Sequence, residues 1–238
     1  MTEIRSINSE SEYITTVGTS ISERLVEAIT QRGIAHLVLT GGTIGVAVLS
    51  GIPLESVDWE RVHIWWGDER FVNHDSSDRN CVQAESPFVI AVAKRGATIH
   101  RMPARDEART LDHAVTQYAQ ELSQFRTNAL ELPAFDVTLL GMGPDGHVAS
   151  LFPNHPNAHV DGTTCAVRNS PKPPPERISL TYNAINTSRE VWLLAKDAAK
   201  RDALSRVLSA HDDMSLPASV VRGTERTIIW TDDETLGR

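Results

Sequence analysis

A chain of 238 residues with 40% hydrophobic content can bury one sizeable core, and its formal charge of -8 argues against a nucleic-acid partner. The two cysteines, Cys81 and Cys165, fit neither a disulfide framework nor a zinc knuckle, and no stretch approaches a membrane span. Acids at Glu3, Glu10 and Glu12 exclude a signal peptide, so a soluble cytoplasmic protein with no membrane partner is expected.

Val17, Ile21, Leu25 and Ile29 recur at helical spacing, Gly33 stops that helix, and residues 35–40 form a short apolar strand ending at Gly41-Gly42. Residues 43–49 open a second helix. Residues 61–66 read as a strand, with Trp65 and Trp66 as core and edge residues, running into Gly67-Asp68-Glu69-Arg70. Leu111, Val115, Tyr118, Leu122 and Phe125 step by three and four, which predicts a helix over 106–125 feeding a strand over 135–140. Further strands are expected at 164–167, 178–181, 191–195 and 227–230, with a helix over 198–209 between the last two. The run Pro171-Lys172-Pro173-Pro174-Pro175 reads as a stiff exposed loop. This alternation predicts a single α/β domain of Rossmann-like type, a mainly parallel twisted sheet with helices on both faces.

In such sheets ligands bind outside the carboxyl ends of the strands, where Gly41-Gly42-Thr43, Gly67 to Arg70 and the run from Gly141 to Pro153 all fall. The last run holds Gly141, Gly143 and Gly146 together with Asp145 and His147. Its glycines let the backbone turn sharply beside a ligand. His147, ordinarily titrating near neutrality, can abstract a proton while Asp145 fixes its tautomer; the bland alternative is a helix cap followed by a surface imidazole. The same glycines match a dinucleotide fingerprint, but Pro144, Pro153 and Pro156 argue against the crossover helix that fingerprint requires. Gly41-Gly42-Thr43 is either an anion site at a helix start or an ordinary tight turn. Arg70 suits an oxyanion or a phosphate, unless its loop is only a solvated ion-pair cluster. Arg177 and Lys200 read on sequence alone as surface charges. His155 and His159 have zinc-ligand spacing, but the surrounding prolines deny them a helix, so no metal is assigned.

Together Thr40 to Thr43, Trp66 to Val72 with Asp78-Arg79-Asn80, Gly141 to Pro153, Arg177 to Thr181 with Ala184-Ile185-Asn186, and Lys200 with Leu204 resemble the 6-phosphogluconolactonases. That family belongs to a larger group containing glucosamine-6-phosphate deaminases, and the resemblance runs nearly end to end. It implies hydrolysis of a phosphorylated sugar lactone without metal or organic cofactor. His147 would be the general base, Asp145 its orienter, and Arg70 the group that stabilises charge on the lactone oxygen. Gly41, Gly42, Thr43, Arg177 and Lys200 would gather the phosphate, with Asp68 and Gly143 lining the substrate site. Arg79 would either add a phosphate ligand or pair with Asp75 or Asp78.

Deaminases in the group carry an acid shortly after the histidine, where this chain reads Ala149-Ser150-Leu151-Phe152-Pro153, so isomerase or deaminase chemistry is the secondary expectation. A silent sugar-phosphate sensor is the other, although no basic helix-turn-helix accompanies the domain. Relative to the family, Asn183 replaces a usual proline, Asp197 a glycine and Arg79 a common serine. A monomer or weak homodimer is expected.

Overall fold

The structure is a computed structural model and describes residues 2–127, 129–210 and 212–238. Strand β1 (Thr2–Ser6) leads into helix α1 (Glu10–Arg32), whose cap Ser9 accepts from the Glu12 amide. The chain then runs β2 (Ala35–Leu39), α2 (Thr43–Leu49), β3 (Val62–Trp66), β4 (Asp68–Arg70), α3 (Asn80–Gln83), α4 (Ile90–Ala93), β5 (Thr98–Ile99) and α5 (Leu111–Ser123). It continues through β6 (Val137–Gly141), β7 (Thr164–Val167), β8 (Arg177–Leu180), α6 (Tyr182–Ile185), β9 (Glu190–Leu194), α7 (Arg201–Ser209), β10 (Arg226–Thr231) and α8 (Asp233–Leu236).

Seven strands pair in the order β1-β10-β9-β6-β2-β3-β5, every pair parallel. Every residue of β2 and β9 is buried; because successive side chains point to opposite faces, both faces of the sheet are covered there. The expected Rossmann-like α/β architecture is therefore present. Trp65, Trp66, Trp192 and Trp230 are all fully buried, so Trp66 is a core residue and not an edge one.

Four local differences from the sequence reading have physical causes. β1 was not expected, because it is a polar, mostly exposed edge strand without an apolar pattern. The helix read over 106–125 starts at Leu111, since Thr110 caps it by accepting from the His113 amide and Asp106 instead accepts from the His74 amide. A separate turn, residues 198–200, precedes α7. The stretch read as a loop after β3 contains β4, which joins β8 and β7 in a second, antiparallel sheet.

Candidate active site

In the large sheet β2 is followed by β3 on one side, whereas the chain leaving β6 reaches β9 on the other. At such a switch point the loops after neighbouring strands diverge and leave a crevice. Here the crevice measures about 480 Å³ and is lined by the loops after β2 and β6, by β4 and β8, and by the turn before α7. The Thr40 hydroxyl accepts from the Gly141 amide at 3.2 Å and ties the first two loops together.

After β6 the backbone folds into a tight turn: the Gly146 amide donates to the Gly143 carbonyl and the Gly143 amide to the His147 carbonyl, both at 3.0 Å. Pro144 stands at the second turn position, where its fixed φ suits the geometry. The turn brings His147 Nδ1 to 2.5 Å from Asp145 Oδ1. Space is the constraint: a Cβ on Gly143 would lie 2.0 Å from His147 Nδ1 and 2.5 Å from Asp145 Oδ1, so only glycine leaves room for the pair. Burial opposes ionisation of Asp145, but the His147 hydrogen bond and the charges of His147 and Lys172 outweigh it and hold the carboxyl well below the ordinary carboxylate range. An ionised carboxylate only accepts, so Nδ1 carries the hydrogen and Nε2 is left as the basic nitrogen. The ring of Phe152 backs the imidazole at 4.8 Å.

The second wall comes from the small sheet, whose register sets Arg70 directly opposite Arg177 and Asp68 opposite Ser179. Like charges facing each other across strands are unfavourable without an anion between them. Burial first, and then the Arg70 charge, lower the Arg177 guanidinium from its ordinary value. Arg70 Nη1 donates to the Asp78 carbonyl and to Asn80 Oδ1, while its buried Nε has no partner among the described residues. Asp68 Oδ2 accepts from the Ser150 hydroxyl at 2.6 Å.

The third wall joins Gly42 and Thr43, at the start of α2, to Lys196, Asp197 and Lys200. Gly42 has φ +83°, a backbone that a side chain would strain, and the leading amides of α2 have no intrahelical partner. Burial lowers the Lys200 ammonium from its ordinary value. Asp197 is a non-glycine residue at φ 153° and ψ 132°, and its Oδ1 accepts from the Ala199 amide at 2.9 Å.

Of the residues singled out in the sequence, Gly41, Gly42, Thr43, Asp68, Arg70, Gly143, His147, Arg177 and Lys200 line this crevice, and Asp145 stands against His147. Arg79 does not join them, and neither expected role applies to it. It is 2% exposed, donates to the Met102 carbonyl and faces Glu69 at 3.6 Å rather than Asp75 or Asp78. The cause is Glu69, whose buried carboxylate accepts from the Asn80 and Cys81 amides at the start of α3 and draws the guanidinium inward. His155 is engaged by Asn157 and the Arg168 carbonyl, away from the crevice. Sequence reasoning missed Asn80, Lys172, Lys196 and the placement of Asp197 in the crevice. Asn80 was the most accessible of these, adjoining Arg79 in a polar run after a strand.

A family profile described as Glucosamine-6-phosphate isomerases/6-phosphogluconolactonase matches residues 8–230, and the chain belongs to that family. Among curated proteins it is 43% identical to the 6-phosphogluconolactonase of Streptomyces coelicolor over 214 residues, covering 86% of this chain and 82% of that one. It is 40% identical to the 6-phosphogluconolactonase of Mycobacterium leprae over 222 residues, 91% of this chain and 90% of that one. The crystal structure of a 6-phosphogluconolactonase from Thermotoga maritima superposes with a TM-score of 0.84 at 26% identity, covering 98% of this chain and all of that one.

Proposed function

We propose that this protein hydrolyses 6-phospho-D-glucono-1,5-lactone to 6-phospho-D-gluconate in the oxidative pentose phosphate pathway, by general-base activation of water. The observation that carries the reading is the His147–Asp145 pair set on a crevice that gathers Arg70, Arg177 and Lys200 in a chain of net charge -8. Neutral His147 takes a proton from water at Nε2 as the oxygen attacks the lactone carbonyl, and Asp145 stabilises the imidazolium that forms. Arg70, with its unpartnered Nε, stabilises the developing oxyanion. When the ring C–O bond breaks, the imidazolium returns the proton to the leaving oxygen. Lys200 and the first turn of α2, with Gly41, Gly42 and Thr43, receive the phosphate.

The reaction needs activated water and no proton shuttle between carbon atoms. In keeping with that, the residue packed on His147 is the apolar Phe152, not a second carboxylate. The reading assigns no cofactor and takes the protein as a cytoplasmic monomer or weak homodimer.

The test is to generate the lactone in place from glucose 6-phosphate and follow its loss with and without the protein, in buffer with and without a chelator. Chelator-resistant acceleration is expected. No acceleration, together with turnover of glucosamine 6-phosphate, would overturn the reading in favour of deaminase chemistry.

A further inference from the structure

The Pro-Lys-Pro-Pro-Pro run is not a free loop. Arg177 Nη2 donates to the carbonyls of Lys172 and Pro173 at 3.0 Å each, and its Nε to the Pro174 carbonyl at 3.2 Å. The Ser170 amide donates to the Pro175 carbonyl at 3.0 Å and closes the segment into a strap. Two nitrogens of a guanidinium that resembled a phosphate ligand are thereby given to backbone, and what they hold in place is Lys172. Its Nζ stands 3.2 Å from His147 Nδ1 and 3.5 Å from Asp145 Oδ1.

An ammonium only donates, and Nδ1 already carries the hydrogen that it gives to Asp145, so the Lys172–His147 approach is a cation against a ring and not a hydrogen bond. The ammonium is attracted to the carboxylate and opposes a second positive charge on the imidazole. Asp145 acts in the other direction and favours the imidazolium. We infer that Lys172 is a positioning residue for the His147–Asp145 pair: held by the Arg177-pinned strap, it keeps the carboxylate ionised on Nδ1 and keeps His147 neutral, with Nε2 ready to accept a proton. The inference depends on the lactonase reading only for the reaction that the pair then serves.

The other groups around His147 do not duplicate this role. Phe152 covers the ring face and is apolar, and Arg177 lies beyond it, 5.7 Å from the Phe152 centroid. Asp68, Arg70 and Lys200 line the crevice that His147 shares. Among the described residues, Asp145 and Lys172 are the charged groups in direct contact with Nδ1.

The test follows the His147 imidazole by NMR titration in the intact protein, in Lys172→Met and in Lys172→Arg. The midpoint is expected to move to higher pH in Lys172→Met and to return toward the wild-type position in Lys172→Arg. In parallel, kcat/KM for the lactone at about pH 6, relative to about pH 7.5, is expected to fall roughly two- to threefold in Lys172→Met, because more of the base is protonated. An unmoved midpoint in Lys172→Met overturns the inference, even if activity drops uniformly across pH. The titration needs no substrate: a wild-type protein that fails to turn over the lactone removes the functional reading alone, whereas turnover with an unmoved midpoint removes Lys172 alone.

Discussion

His147 and the group formed by His36, His63 and His100 occupy opposite ends of the same sheet and show what surroundings make of one side chain. The group lies near the amino ends of β2 and β3: Trp65 Nε1 donates to His36 Nδ1 at 3.1 Å, His63 Nδ1 and His100 Nε2 are 2.8 Å apart, and Trp65 stacks on His100 at 3.7 Å. Burial, reinforced by the charges its members would place on one another, pushes His36 down to about 3 and His63 down to about 4. These two imidazoles are neutral at ordinary pH and serve packing. His100 also has a carboxylate against one nitrogen, Glu121 Oε1 at 2.6 Å from Nδ1, but its ring is buried; His147 combines a carboxylate on one nitrogen and an apolar ring against its face with a crevice beside it. An imidazole becomes a base where the fold supplies both a partner for the cation and access for a ligand, and the diverging loops at the carboxyl ends supply that access.

His147→Gln is expected to lower kcat by about 10²- to 10⁴-fold with KM within a few-fold of wild type, and retained turnover in steady-state assays would remove it as the base. Next is Gly143→Ala, whose Cβ would collide with His147 Nδ1 at 2.0 Å. Turnover is expected to fall on the order of 100-fold while the thermal midpoint changes little, because a displacement near 1 Å in a reacting group is enough for such a loss.

A smaller effect is expected from the imidazoles at the amino ends of β2 and β3. His36 and His63 titrate in the fold at about 3 and about 4, below the value near 6.5 of an unfolded chain. The stability they contribute is therefore full above about pH 6.5 and is lost as pH falls toward those values, since the unfolded chain takes up protons that the fold refuses. From His36 the loss is on the order of 1 kcal/mol per pH unit in that window, read by urea unfolding at several pH values. His36→Asn, whose Oδ1 can still accept from Trp65, should flatten the slope; an unchanged slope would show that His36 is not its source.

The smallest change is expected at the crevice rim. Asp197→Gly relieves the φ 153° backbone and removes a carboxylate from a site that gathers cations. Glycine is nearly as good a cap as aspartate, so the chain should gain about 1 kcal/mol or less in chemical unfolding, and KM should fall about two- to threefold. A higher KM would mean that the carboxylate aligns Lys200 rather than repelling the ligand.

Much of the frame was legible because it is local. Apolar runs followed by glycines mark strand ends wherever they occur, and they located β2, β3 and β6 together with the loops that carry Gly42 and His147 and the segment that leads to Arg70. β1 and β4 were not legible: the one is a polar edge and the other a three-residue strand that exists through its pairing with β8. Arg79 and Asn80 show the same limit at the site, since adjacent polar residues in one run were separated by the buried Glu69, which takes the arginine inward and leaves the asparagine on Arg70.

By itself the sequence determined the alternating α/β class, the loops that carry the chemistry and the Asp145–His147 pair, because each depends on spacing within a few residues. The tertiary structure decided which cations face the crevice, that Arg177 braces the proline strap, and that Lys172 meets His147 from 25 positions away. Those outcomes depend on the register of the small sheet and on which side of a strand or turn each side chain leaves, and residue spacing carries no record of contacts made between distant segments.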